Sequence, residues 1–222
     1  MADTPSRQGV HSGSEPPAEP GAGGYAAMFL VGGRAKRLGG IAKSELEIGG
    51  ATILHRMLSA CGDAAARVVV GTRPSWAEPL PAGVVSTVED PPGSGPAMAV
   101  AVGLGRIPDG IDRVAVFPGD LPFLCPTAIG LLLGASGPAG DGVGVVFHDD
   151  AGRRQWLCGM WPAAALRAGA AKVRPGDPAR RLFDRISTRS VCWDLDGPPP
   201  WFDCDTPEDL EQARGWAAEL KE

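Results

Sequence analysis

The apolar residues of this chain are gathered into short unbroken runs. Ala26 to Val31 is one such run, and RVVV at Arg67 to Val70, RVAVF at Arg113 to Phe117 and Val143 to Phe147 follow it. A strand with one wet face alternates polar and apolar residues, whereas a continuous run of this length suits a strand covered on both faces. Sheets of that kind need helices above and below, and the segments between the runs supply them. From Thr52 to Cys61, residues Ile53, Leu54, Met57, Leu58 and Cys61 recur at helical spacing and form one buried stripe. Ala97 to Leu104 reads as a helix of small residues, another follows Pro126, and shorter ones cover Ala163 to Ala168 and Ala179 to Ile186. Val84 to Val88, an extended Gln155 to Trp161, and Ser190 to Trp193 add strands. The last helix opens at Thr206, where Thr206-Pro207-Glu208-Asp209 sets a capping hydroxyl, a first-turn proline and two acids in the places a helix N-terminus favours. Strands alternating with helices predict an α/β domain with a largely parallel sheet.

The length of 222 residues suits one sizeable domain. Residues 1–24 are rich in Pro, Gly, Ser and Glu and are expected to form a disordered tail; the domain then runs over 25–222. The tail lacks the apolar core of a signal peptide, which makes the cytoplasm the expected location. A net charge of -5 gives no general basic field for nucleic acid, and the apolar runs are too short to cross a membrane. None of the five cysteines forms a C-x-x-C pair, and the three histidines are scattered, so a zinc site or a histidine triad is not expected.

In a parallel sheet, ligands sit beyond the carboxyl ends of the strands. The chemistry-bearing loops fall there. After the first run comes GGRAKRLGG, in which Gly32 and Gly33 allow close backbone approach and Arg34, Lys36, Arg37 and the following Lys43 bring positive charge. The spacing matches neither the P-loop nor G-x-G-x-x-G, so this is a phosphate cradle of another kind or a solvated basic loop. Asp120, in FPGDLPF after the fourth strand, can hold Mg²⁺ in the crevice, or can simply bond its own turn. Asp203 and Asp205 in FDCDTPEDL are two apart on an extended segment and so point the same way, toward one metal, unless Asp205 only assists the helix start. Asp90, Gly93, Gly95 and Pro96 in VEDPPGSGP make either a nucleobase pocket or a plain strand-to-helix turn. Gln155 and Trp156 offer a surface for a second substrate, although a tryptophan in a strand more often packs.

In this order, LVGGRAKRLGGIAKSEL, VEDPPGSGPAMAVAVGL, FPGDLPF and DCDTPEDL resemble the nucleotidyltransferases with a MobA-like fold, and among them the molybdenum cofactor guanylyltransferases. The resemblance covers about Ala26 to the C-terminus. It implies a single Rossmann-like three-layer domain with a mixed, mostly parallel sheet, as in nucleotide-diphospho-sugar transferases. It implies GTP with Mg²⁺ (or Mn²⁺ in its place), a molybdopterin-type acceptor, and molybdoenzymes or cofactor-insertion proteins as further partners. Leu30, Val31, Gly32, Gly33, Asp90 and Gly95 would lie against the nucleotide. Arg37 and Lys43 would meet the phosphates, Asp120 the metal, and the DCD segment the reacting phosphates. One departure is clear: Ala42 stands where the family usually has an aspartate before the signature lysine. A related enzyme using CTP or another phosphorylated acceptor, and a non-catalytic nucleotide-binding or adaptor protein, are the alternatives.

Overall fold

The structure, a computed structural model, describes residues 24–32, 34–35, 40–72, 79–138 and 140–220. Residues 1–23 of the expected 1–24 tail, and Gly33, Lys36 and Arg37 of the basic loop, lie outside the described residues. A seven-stranded sheet has the order β11-β9-β10-β8-β1-β6-β7. Its strands are β1 (Tyr25–Leu30), β6 (Ala66–Val70), β7 (Val84–Thr87), β8 (Arg113–Pro118), β9 (Gly144–His148), β10 (Arg154–Pro162) and β11 (Thr188–Val191). Two small antiparallel pairs, β2 (Arg34–Ala35) with β3 (Ile41–Ala42) and β4 (Glu47–Ile48) with β5 (Ala51–Thr52), belong to the segment after β1. The helices are α1 (Ile53–Ala60), α2 (Pro96–Leu104), α3 (Pro126–Ala135), α4 (Ala163–Ala170), α5 (Arg180–Phe183) and α6 (Pro207–Glu219).

The unbroken apolar runs are explained by three layers. On one face Ala27, Phe29, Val69, Phe117 and Phe147 pack with α1, α3 and α6. On the other, Ala26, Met28, Val68, Val70 and Val116 pack with α2, α4 and α5. Successive strand side chains alternate faces, so a strand covered twice must be apolar at every position. Trp161 and Phe183 stack with centroids 4.1 Å apart in the second layer and are fully buried. Each large side chain buried in this way stabilises the fold by roughly 1.5–3 kcal/mol.

Within the sheet β10 runs antiparallel to β8 and β9, while the other pairs are parallel. The sheet is therefore mixed and mostly parallel. The reversal matters for position, because it brings the start of β10 to the same edge as the ends of β1 and β8. Two predicted elements before the final helix shift. The helix expected over 179–186 contracts to α5, and the strand expected over Ser190 to Trp193 forms over Thr188–Val191. The five cysteines are all free thiols. Among the described residues no helix is long and apolar enough to cross a membrane.

Candidate active site

Four strand ends are laced together where the loops leave the sheet. Val31 N–H donates to Val70 O at 2.8 Å, Gly119 N–H to Leu30 O at 2.8 Å, and Gly71 N–H to Thr87 O at 2.9 Å. The approach is so close that a Cβ on Gly71 would lie 1.7 Å from Val31 O, and one on Gly119 would lie 2.5 Å from Val31 Cγ1. Only glycine fits either position.

Lys43 is placed by its own neighbours. It opens a 3-10 turn, Lys43–Glu45, in which Leu46 N–H donates to Lys43 O at 3.1 Å. Ser44, Leu46 and Ile48 are buried and tie this strap to the core, and Thr52 then caps α1 by accepting from His55 N–H. Asp120 follows β8 after the single residue Gly119, with Leu121, Phe123 and Leu124 buried beside it.

The two acidic segments are drawn together by rings. Phe123, three residues past Asp120, packs edge-on against Phe202 and against Trp216 of α6, at 6.0 and 5.6 Å, and Phe202 meets Trp216 at 5.0 Å. Such pairs are each worth roughly 0.5–1.5 kcal/mol beyond area burial. Phe202 immediately precedes Asp203. Cys204 turns inward and is fully buried, which leaves Asp203 and Asp205 pointing out on the other side. A capping box completes the arrangement: Asp209 N–H donates to Thr206 Oγ1 at 3.1 Å, and Asp209 Oδ2 accepts from Thr206 N–H at 2.8 Å and from Asp205 N–H at 3.1 Å.

Lys43 Nζ donates to Asp120 Oδ2 at 2.8 Å and also meets Asp205 Oδ1. Burial alone would lower its pKa, but hydrogen bonds to Asp120 and then Asp205 outweigh that and hold the ammonium above the ordinary lysine range. Two aspartates distant in the sequence thus orient Lys43, and the neighbouring Ala42 contributes no charge. Asp203 is open over much of its surface. Its carboxyl nevertheless sits above the usual range, first through burial of the group and then through the negative charges of Asp120 and Asp205. Burial, assisted by Asp120, pushes the Cys204 thiol up to about 12, so it remains protonated at neutral pH and supplies no thiolate.

Oxygens of Asp120, Asp203 and Asp205 lie within 4.8 Å of one another. Asp120 Oδ1 is buried and accepts no hydrogen bond among the described residues. A buried acceptor left unmade costs roughly 1–3 kcal/mol. Three hard oxygen donors around such an orphan fit Mg²⁺ or Mn²⁺.

Two adjoining cavities open at this edge and share Leu30, Val31, Gly32 and Pro96. One, of about 190 Å³, is lined by Lys43, Ser44, Gly119 and Asp120. The other, of about 250 Å³, is lined by Val70, Glu89, Gly93, Gly95 and Ala99. Leu30, Val31, Gly32 and Gly95 thus all border cavity space, whereas Asp90 is exposed and outside the lining. Its neighbour Glu89, which sequence reasoning passed over, takes that place. The sequence carries no signal that favours one acid of the pair over the other.

Gln155 and Trp156 stand at the start of β10. The Trp156 ring stacks on Trp161 and Phe183 at 6.2 and 6.3 Å, with the guanidinium groups of Arg154 and Arg180 at 5.5 and 5.7 Å from its centroid. Gln155 Nε2 donates to Arg153 O at 3.4 Å. From this strand it is Leu157 that lines the Lys43 cavity.

The chain matches the family model of the MobA-like NTP transferase domain over residues 27–190. A molybdenum cofactor guanylyltransferase from Sinorhizobium fredii (strain NBRC 101917 / NGR234) is 28% identical over 208 residues, 88% of this chain and 93% of that protein. One from Rhodopseudomonas palustris (strain HaA2) is 29% identical over 225 residues, covering 94% and 97%. Among solved structures, molybdopterin-guanine dinucleotide biosynthesis protein A from Archaeoglobus fulgidus superposes with a TM-score of 0.68 at 18% identity, covering 87% of this chain and 99% of that one. A Mycobacterium tuberculosis H37Rv protein in complex with manganese gives 0.60 at 16% identity, covering 86% and 98%. At these identities the structural likeness bears on fold.

Proposed function

The chain belongs to the MobA-like NTP transferase family, and from that premise we propose that it transfers GMP from GTP to the phosphate of a molybdopterin-type molybdenum cofactor. In this reaction an acceptor phosphate oxygen bonds to the α-phosphorus, the α–β bridging P–O bond breaks, and pyrophosphate leaves. The observation that carries the proposal is the meeting of Lys43, Asp120 and Asp205 beside a two-part cavity, in a chain whose curated relatives bear that enzyme name.

Nucleotidyl transfer asks for little covalent work from a protein. It needs two polyanions aligned and negative charge stabilised as it shifts toward the leaving pyrophosphate. Lys43 supplies a positive charge at the smaller cavity, and Arg37, outside the described residues, is assigned to the phosphates by its place in the sequence. The glycine-lined strand ends let the backbone approach the nucleotide. Asp120, with Asp205 and Asp203, would hold Mg²⁺ or Mn²⁺. When bound, that ion neutralises phosphate oxygens that the acidic cluster alone would repel. Gln155 and Trp156, which lie outside the lining of both cavities, are our candidates for the acceptor surface.

The test is pyrophosphate release with each nucleoside triphosphate, Mg²⁺ and molybdopterin or its molybdenum form. Release that needs both GTP and the pterin is expected. Release with CTP would transfer the reading to a cytidylyltransferase, and tight GTP binding without turnover would make the protein a binder.

A further inference from the structure

We infer that Glu89 selects the base, reading guanine through its two adjacent ring donors; this rests on the proposed nucleotidyl transfer and adds to it the residue that discriminates among triphosphates. The argument starts from the division between the two cavities. Lys43 and Asp120 border the smaller one, and Asp205 meets Lys43 there, which assigns the phosphates to that end. The larger cavity has the character of a base slot. Val31, Val70 and Ala99 give it apolar walls, and Gly32, Gly93 and Gly95 give it bare backbone edges. Among the described residues that line it, Glu89 is the one charged side chain.

Glu89 is held there rather than left free to turn away. It is half-buried, and its Oε1 accepts from Gly93 N–H at 3.1 Å, across the turn that forms the cavity rim. Gly93 and Gly95 take φ of +81° and +96°, conformations that glycine adopts without strain, so the rim keeps this shape. The rim is braced from outside as well, because Gly176 N–H donates to Ser94 O at 2.8 Å. The second oxygen is the recognition atom, with Oε1 able to share its remaining lone pair.

An ionised carboxylate accepts hydrogen bonds and donates none. Guanine presents N1–H and an exocyclic N2 amine side by side on one edge, which is two donors for one carboxylate. Adenine offers an acceptor at N1, cytosine one at N3, and uracil a single N–H between two carbonyls. Each of those sets a lone pair against the carboxylate. A site whose buried acceptor is left facing another acceptor rejects the wrong ligand more strongly than an apolar pocket can. Bidentate pairs of this type discriminate by roughly 5- to 150-fold.

Equilibrium binding of GTP, ITP, ATP and CTP with Mg²⁺ and no acceptor tests the inference. ITP lacks the N2 amine and keeps N1–H. The wild-type chain should bind GTP most tightly, with ITP on the order of 10-fold weaker and ATP and CTP weaker still. In Glu89→Gln the amide oxygen can keep the Gly93 bond while its NH₂ faces the guanine donors. GTP affinity should then fall on the order of 10- to 100-fold, and the GTP-to-ITP ratio should shrink toward one. Equal GTP and ITP affinities in the wild type would overturn the inference without any variant, which guards against a Glu89→Gln chain that fails to fold. An unchanged GTP affinity and ratio in folded Glu89→Gln would overturn it too. Absence of binding to any triphosphate would sink the proposed function along with it, whereas GTP turnover that ignores residue 89 would sink the inference alone.

Discussion

Lys43→Met is the most informative single change, because the structure predicts opposite effects on the bare protein and on its affinity for divalent metal. Methionine keeps most of the buried stem and removes the ammonium. At 2.8 Å from Asp120 Oδ2, the gross attraction of Lys43 at an effective dielectric constant of 20 is about 6 kcal/mol. Desolvation of both groups offsets part of it. Lys43 and Asp120 keep 18% and 15% of their side-chain surface, so solvent screens them little, but Asp205 keeps 54% and adds less. Breaking a fully buried pair costs roughly 3–5 kcal/mol. For this partly open trio about 2–3 kcal/mol is the appropriate figure, or about 4–12 °C in Tm for a chain of this size.

With Lys43 gone, the three neighbouring carboxylates have lost the cation that bridges two of them. A divalent ion then restores what the substitution removed, and it no longer has to displace an ammonium. Mn²⁺ without nucleotide should therefore raise the Tm of Lys43→Met by more than that of the wild type, since a ligand that binds only the folded state stabilises it by RT ln(1 + [L]/Kd), which grows as Kd falls. Differential scanning calorimetry across a Mn²⁺ series reads both effects. The pH dependence follows from the raised pKa of Lys43. A lysine of that kind contributes its stability below the unfolded lysine pKa and loses it only as pH rises through the higher folded value. The Tm gap should thus stay flat between about pH 6 and 9. A variant that melts with the wild type, or that gains no more from Mn²⁺ than the wild type does, would refute the counter-cation role.

Asp120→Asn should lower turnover at least about 10²-fold in the pyrophosphate assay while leaving the circular dichroism spectrum unchanged, because it weakens the cluster that holds the metal and the bond of Lys43 to its more buried partner. Asp209→Asn replaces the charged acceptor of two backbone N–H groups with a neutral one and should destabilise the fold by about 1 kcal/mol at pH 7. The Asp209 carboxyl is held below its ordinary range: burial opposes this, but hydrogen bonds from Thr206 and Asp205 prevail. Its stabilisation is therefore present above the unfolded pKa and lost as pH falls through the folded one, and the two chains should converge in denaturant melts in acid. Gly71→Ala places a Cβ 1.7 Å from the backbone oxygen of Val31, which no side-chain rotation can relieve, so soluble yield and Tm should both fall; a wild-type melting temperature would contradict the tight lacing of the strand ends.

The layers were legible because burial on two faces leaves a local mark. A run such as Ala26 to Val31 admits few other structures, and the Thr206–Asp209 cap is written in four consecutive residues. What the chain could not show by itself were the long-range choices. Nothing in QWLCGMW distinguishes a strand that runs antiparallel to β8 from one that runs parallel, since both bury the same residues. The difference comes from how the chain crosses between strands. Lys43 meets partners 77 and 162 residues away, a closure fixed by Phe123, Phe202 and Trp216 rather than by any spacing near the charges.

Glu89 and Asp90 mark the boundary between the two kinds of information. Both are acids just past the end of β7, and a motif names the pair without separating its members. Which one faces the ligand depends on how the chain turns after the strand. Here the Gly93 N–H captures Glu89, and Gly176 fixes the same rim from another loop, while Asp90 remains in solvent. Motif order can therefore identify a phosphate-handling edge, because charge and glycine content are local properties. Base choice belongs to one oxygen whose position is set by two loops about 80 residues apart, so it appears only once those loops have been brought together.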